Sequence, residues 1–254
     1  MPSLQRNQVS CCLIVPCYNE AHRLNTGSFR EFMTGHERVR ILFVDDGSQD
    51  ETANVLEQLC EGLEDHASVL SDGRNRGKAE AVRTGVEHAL KQFSPQMVGY
   101  WDADLATPLT AVDQFLSVFD QNPEALMVFG ARVKLLGRKV ERKAIRHYLG
   151  RVFATVASNV LRLPIYDTQC GAKLFRVDET LRTVFTQPFI SKWVFDVEII
   201  ARYLKFFHND TVRLERAIYE YPLEQWVDVA GSKVRPGDFV TAFFDLLRIK
   251  RKYL

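Results

Sequence analysis

The stretch MVGYWDADLATP, residues 97–108, decides the fold. A short apolar run ends abruptly at Asp102, Ala103 and Asp104, and Pro108 follows as a helix opener. An apolar run of this length, between longer segments with helical spacing, is a buried strand. Residues 78–92 before it and 108–120 after it supply those helical patterns. The alternation continues outward: residues 11–17, 40–44, 67–71 and 125–131 read as further strands, and residues 50–61 as a helix capped by Ser48 or Asp50. Repeated β-α units predict an α/β, Rossmann-like domain with a mostly parallel central sheet flanked by helices, whose ligands sit at the carboxyl ends of the strands.

Beyond residue 131 the pattern is less regular. It predicts a helix over 142–163, a loop over 166–171, a strand over 173–177, a helix over 194–207 and an amphipathic basic helix from Pro236 onward. The tail carries Phe239, Val240, Phe243, Leu246, Leu247 and Ile249, with Arg248, Lys250, Arg251 and Lys252. Those apolar residues either pack in the core or meet a membrane whose anionic headgroups face the cations.

The 254 residues, 46% hydrophobic and 26% charged, suit one domain with a single core and exclude disordered and repeat classes. The net charge of +1 hides a split. Residues 1–130 hold 10 Lys and Arg against 19 Asp and Glu, and residues 131–254 hold 23 against 13. The single domain thus has an acidic half over 1–130 and a basic half over 131–254, and the basic face either meets phosphate or an anionic membrane surface or is simply solvated. Cys11, Cys12, Cys17, Cys60 and Cys170 lack metal or redox spacing and are expected to be reduced thiols in a cytoplasmic protein. No apolar run is long enough to span a membrane, so contact with one would be peripheral.

Two phosphate loops are excluded. Residues 73–79, GRNRGKA, are one residue short of a P-loop and lack its closing Ser or Thr, and no G-x-G-x-x-G follows the first strand. Nucleic-acid binding fits poorly, since the basic residues form no recognisable motif. Asp102 and Asp104 can instead hold a hard divalent ion through oxygen ligands. A chain with 16 Asp offers about one D-x-D by chance, so its place at a strand end carries the weight. Asp45 and Asp46 stand at a second strand end; capping by Asp46 or Ser48 would leave Asp45 free for a base or ribose. PCYNE, residues 16–20, closes a third.

These segments together resemble the family 2 glycosyltransferases of GT-A fold, and within them the dolichyl-phosphate glucosyltransferase-like branch. The resemblance rests on VPCYNE (15–20), VDDGSQDET (44–52), NRGKAEAVRTG (75–85), DADLATP (102–108), DTQCGAKLF (167–175) and WVFDVEII (193–200). It implies that Pro16, Tyr18, Glu20, Asp45, Lys78, Asp102 and Ala103 bind a nucleotide-sugar, and that Asp102 and Asp104 ligate Mg2+ or Mn2+ at the diphosphate. Gln169 would approach the acceptor, and Asp196 and Glu198 match the family's FDVE segment. Leu105-Ala106-Thr107-Pro108 departs from the Leu-Gln-His-Pro of mannosyltransferase relatives, which favours a glucosyl donor. Ala172 replaces an expected aromatic, implying a reshaped donor pocket or acceptor channel. Many relatives also carry membrane helices after the catalytic domain, and none is seen here.

The expected reaction is metal-dependent, inverting transfer of glucose from UDP-glucose to a polyprenyl phosphate. Asp104 and Asp196 are the candidate catalytic residues. A phosphate acceptor is ionised at neutral pH and needs no general base, whereas a hydroxyl acceptor needs one. Asp196 therefore has three readings: base, orienting residue or helix cap. Arg132, Arg146 and Arg151 form a candidate cradle for acceptor phosphate, or a solvated helix face. The alternatives are transfer to a saccharide or other hydroxyl, and a nucleotide-sugar-binding protein without turnover.

Overall fold

A computed structural model describes residues 9–141, 144–229 and 236–254, without the side chains of 141–147 and 236–240. The five expected strands form: β1 (Cys11–Cys17), β2 (Val39–Asp45), β3 (Ala67–Ser71), β4 (Met97–Trp101) and β5 (Met127–Ala131). β1, β4 and β5 are buried from end to end or nearly so, which is why they read as unbroken apolar runs. Helices α1 (Thr26–Gly35), α2 (Thr52–Cys60), α3 (Lys78–Gln92) and α4 (Ala111–Gln121) connect them. Asp50, one of the two expected caps, takes up the first N–H of α2. It accepts from Thr52 N–H at 3.0 Å and from Ala21 N–H at 3.3 Å, joining α2 to the β1 loop.

The second half adds β6 (Lys139–Glu141), α5 (Ala144–Leu161), β7 (Ala172–Arg176), α6 (Glu179–Thr186), α7 (Phe195–Phe206), α8 (Thr211–Ala217), β8 (Ile218–Pro222), β9 (Gln225–Val227) and α9 (Pro236–Tyr253). The main sheet has seven strands in the order β3-β2-β1-β4-β7-β5-β8. β7 runs antiparallel to both β4 and β5, and the other pairings are parallel. β6 and β9 form a separate parallel pair. One apolar cluster lies on each face of the main sheet: Ile14, Tyr100 and Phe195 belong to one, Leu13, Trp101 and Phe115 to the other. The alternation of neighbouring residues between clusters is the period of two expected of strand side chains.

Ala172 lies fully buried in the cluster with Trp101, opposite it in register. Its small side chain packs in the core there, beside Trp101. The apolar stripe of α9 divides. Leu246 and Ile249 are in the core, whereas Phe243, Phe244 and Leu247 are at least 47% exposed. Phe239 and Val240 lie outside the described side chains.

Candidate active site

The carboxyl ends of β1, β2 and β4 meet, as parallel strands in one sheet must. After β1 the chain turns at Asn19, whose φ of 50° is left-handed. Asn19 N–H donates to Ser48 Oγ at 3.0 Å, and Gln49 N–H returns a bond to Asn19 Oδ1 at 2.8 Å. Glu20 N–H donates to Thr52 Oγ1 at 2.8 Å. These bonds lace the β1 and β2 loops together and fix the backbone of Glu20.

After β2 the turn depends on Gly47. Its φ is 68°, and a Cβ there would stand 2.6 Å from the backbone of Arg74 and Asn75. The close approach lets Asp46 accept the backbone N–H groups of Arg76 and Gly77, each at 2.8 Å. Asp46 thereby fixes the start of α3 and delivers Lys78. Desolvation pushes its carboxyl above the usual value, against the pull of those two bonds. Asp45 is not left free as the sequence suggested: it accepts Ser48 N–H at 3.1 Å and the Ser71 hydroxyl at 3.1 Å. Its short turn and the neighbouring strand engage both oxygens.

β4 supplies Asp102 and Asp104. Asp102 Oδ1 lies 2.5 Å from Lys78 Nζ. Asp104 Oδ1 accepts Ala106 N–H at 3.1 Å, and Oδ2 is 3.0 Å from Arg23 NH2. Arg23 also reaches Glu20, 3.3 Å from Oε2. Leu105 holds a φ of 51°, a strained value for a leucine, directly after the two carboxylates. Desolvation and then repulsion from Asp102 push the Asp104 carboxyl up, opposed by Ala106 N–H, Arg23 and Lys78. Desolvation lowers the Lys78 ammonium, but Asp102, Asp196 and Asp104 outweigh it and hold it above its ordinary value.

β7 closes the far side. Asp102 N–H donates to Gly171 O at 2.9 Å, and a Cβ on Gly171 would fall 1.9 Å from Asp102 Oδ2. Only a glycine leaves that carboxylate its position. Lys173, fully buried, pairs with Asp196 Oδ1 at 2.7 Å and donates to the carbonyls of Thr168 and Cys170 at 3.0 and 2.6 Å. The Tyr100 hydroxyl donates to the same Asp196 oxygen. Asp196 lies in the first turn of α7 and makes no capping bond, so the cap reading is corrected. Glu198 is fully buried and faces elsewhere. It accepts from Ile190 N–H and Tyr253 Oη and pairs with Arg202 at 2.7 Å, fastening the loop before α7 to α9.

The candidate phosphate cradle is built differently from expectation. Arg132 grips Asp167 through Nε at 2.6 Å and NH2 at 2.8 Å. Arg151 stacks 3.6 Å over the Tyr166 ring and donates to Tyr166 O at 2.8 Å. Glu220 accepts Tyr166 and Asp167 N–H groups. Two of the three arginines thus pin the loop over 166–171, and Gln169 on it has a buried Nε2 with no hydrogen-bond partner. The Arg146 side chain lies outside the described residues.

Sequence reasoning missed Arg23, Tyr100, Gly171 and Lys173 as site residues. Lys173 had a signal: a lone lysine inside the apolar run of β7 needs a partner once buried. Arg23 had a weaker one, as a cation three residues after Glu20 in an acidic half.

Two carboxylates two residues apart at a strand end are a hard-oxygen donor set, and the bare Gly171 lets the Asp102 carboxylate keep its place in it. Among the described residues no group of three or more His, Cys, Asp or Glu converges. An ion held by this pair therefore keeps coordination positions for phosphate oxygens, which fits Mg2+ or Mn2+.

The family model described as Glycosyl transferase family 2 matches residues 12–181, taking in β1 to β7 and both carboxylates. Dolichyl-phosphate beta-glucosyltransferase of Mus musculus is 31% identical, over 95% of this chain and 75% of its own length. Its Dictyostelium discoideum counterpart is 30% identical, over 100% and 79%. Among solved structures, glucosyl-3-phosphoglycerate synthase of Mycobacterium tuberculosis, in complex with Mn2+, UDP-glucose and phosphoglyceric acid, shares the fold. The TM-score is 0.68 at 15% identity, over 95% of this chain and 80% of that one. With its strand-end carboxylates set in a GT-A sheet and most of its length matched, the chain belongs to glycosyl transferase family 2 and is a glycosyltransferase.

Proposed function

We propose that this enzyme transfers glucose from UDP-glucose to a polyprenyl phosphate, with inversion and with Mg2+ or Mn2+. The carrying observation is the state of Asp196. Its Oδ1 is occupied by Tyr100 and by the buried Lys173, an arrangement that anchors a carboxylate and suits an orienting residue better than a base. An ionised phosphate acceptor needs no base. The two relatives named above, whose names state the same reaction class, support the reading.

Each group then has a role. Asp102 and Asp104 would hold the ion, which would neutralise charge developing on the departing diphosphate. Lys78, at the start of α3, would place an ammonium against the same diphosphate, beside the helix-end N–H groups. Asp45 and Glu20 would border the nucleoside, alongside Pro16 and Tyr18. Asp196, held by Tyr100 and Lys173, would set the acceptor-side wall, and Gln169 would use its unpartnered amide on the sugar or acceptor.

A lipid acceptor also calls for contact with a bilayer. No helix among the described residues is long and apolar enough to cross one. Phe243, Phe244 and Leu247, exposed on α9 just before Arg248, Lys250, Arg251 and Lys252, are suited to peripheral binding at an anionic surface.

The test is transfer of labelled glucose from UDP-glucose, with Mg2+, into organic extract. Label dependent on a short polyprenyl phosphate is expected. Transfer only from GDP-mannose would overturn the donor, and donor hydrolysis without organic label would overturn the acceptor.

A further inference from the structure

Both carboxylates of the D-x-D already carry cations on oxygens that a divalent ion would need. Lys78 Nζ is 2.5 Å from Asp102 Oδ1, and Arg23 NH2 is 3.0 Å from Asp104 Oδ2. The second oxygen of Asp104 takes Ala106 N–H. An ion can therefore reach Asp104 Oδ2 only in competition with a guanidinium. That guanidinium has a second seat: NH1 stands 3.3 Å from Glu20 Oε2 and 3.4 Å from Oε1. Glu20 is itself only 9% exposed and is fixed by its backbone bond to Thr52.

We propose that Arg23 is a positioning residue that exchanges places with the divalent ion. It rests between Asp104 and Glu20, and when the ion takes Asp104 the guanidinium withdraws onto Glu20. Lys78 makes the parallel move, leaving Asp102 for the donor diphosphate. The inference rests on the metal-dependent reading above and assigns Arg23 a role within it.

Charge explains why such a device is useful. The two carboxylates stand two residues apart on one turn, and the two cations compensate them before any ligand arrives. An ion that takes Asp102 Oδ1 and Asp104 Oδ2 displaces both cations, and Lys78 then loses its partner. An ion entering with a nucleoside diphosphate gives Lys78 a new anion, so the two ligands bind with positive coupling. Arg23 keeps Glu20 in either case. Arg23 therefore lowers ion affinity with and without nucleotide alike, whereas Lys78 controls the coupling between them.

Mn2+ binding to the full chain, followed by the electron paramagnetic resonance signal of free ion with and without saturating UDP, tests this apart from turnover. Arg23→Gln is expected to tighten Mn2+ about fivefold in both conditions, the scale of a partly exposed ion pair. Lys78→Met is expected to tighten Mn2+ only without UDP and to diminish the coupling. Unchanged or weaker Mn2+ binding by Arg23→Gln overturns the exchange. Removing a nearby positive charge would raise affinity even without displacement, so a crystal of the Mn2+ and UDP complex supplies the second readout. There the guanidinium should stand on Glu20 and out of reach of Asp104; a guanidinium still bonded to Asp104 beside the ion overturns the proposal. Arg23→Met replaces the Gln variant if the latter fails to fold. A wild-type chain that takes up no Mn2+ even with UDP would refute the metal-dependent reading itself.

Discussion

Replacing Gly171 by alanine is expected to separate activity from stability. The added methyl would stand 1.9 Å from Asp102 Oδ2 and 2.2 Å from its Cγ, where contacts under 3.0 Å are not tolerated. Either the carboxylate or the β7 backbone must retreat by about 1 Å. The backbone is fastened by the 2.9 Å bond from Asp102 N–H to Gly171 O and by the antiparallel pairing of β7 with β4. The Asp102 side chain is 36% exposed and, among the described residues, is tied by Lys78 alone, so it is the part that yields. Rotation of a partly exposed carboxylate costs about 1 kcal/mol, which for a chain of this size lowers Tm by about 2–4 °C. A displacement of about 1 Å at a group that positions the diphosphate costs about 10²-fold in rate. Steady-state transfer measured beside thermal unfolding checks both numbers. A Gly171→Ala enzyme with wild-type kcat/KM would refute the claim that this glycine sets the place of Asp102. So would a fall in Tm large enough to account for the lost activity by unfolding.

Asp196→Asn removes the counter-charge of a fully buried ammonium, and breaking a buried pair costs about 3 kcal/mol or more. A fall in Tm of about 6–12 °C is expected in thermal unfolding; an unchanged Tm with lost transfer would return Asp196 to the role of base. The five cysteines are buried and free, and burial pushes Cys12 up to about 12 and Cys60 up to about 11. A thiol reagent at pH 8 should therefore label the native protein only at the rate of unfolding, and rapid labelling of any of the five would contradict the packing.

What the sequence disclosed followed from local chemistry. β1, β2 and β4 were legible because both faces of each strand are covered, so apolarity alone marks them to within a residue. α1 was not, since Phe29, Phe32 and Met33 are its only buried residues and glycines stand near both ends. β8, IYEYP, is only half-buried, and its polar residues and proline hide a strand whose place beside β5 is decided by tertiary pairing. The place of Asp102 and Asp104 just after a strand was legible, as was that of Asp196 at the start of a helix. The tasks of Asp45, Arg132 and Arg151 did not, because each depends on a partner far along the chain: Ser71, Asp167 and Tyr166. A motif names a residue type at a strand end, and the three-dimensional neighbours decide whether its charge is spent or available.

The insertion of β7 between β4 and β5 also dictates an order of assembly. β5 pairs only with β7 and β8, both made later in synthesis, and β4 keeps one open side until residues 172–176 arrive. A growing chain that ends before β7 therefore carries unsatisfied edges on the apolar strands β4 and β5, the kind of surface that recruits other chains. The strand that cures this exposure is the same one that places Gly171 against Asp102 and Lys173 against Asp196. Escape from aggregation and the seating of Asp102 and Asp196 against their β7-side neighbours are thus a single event in the life of this polypeptide, and a premature stop upstream of β7 forfeits both together.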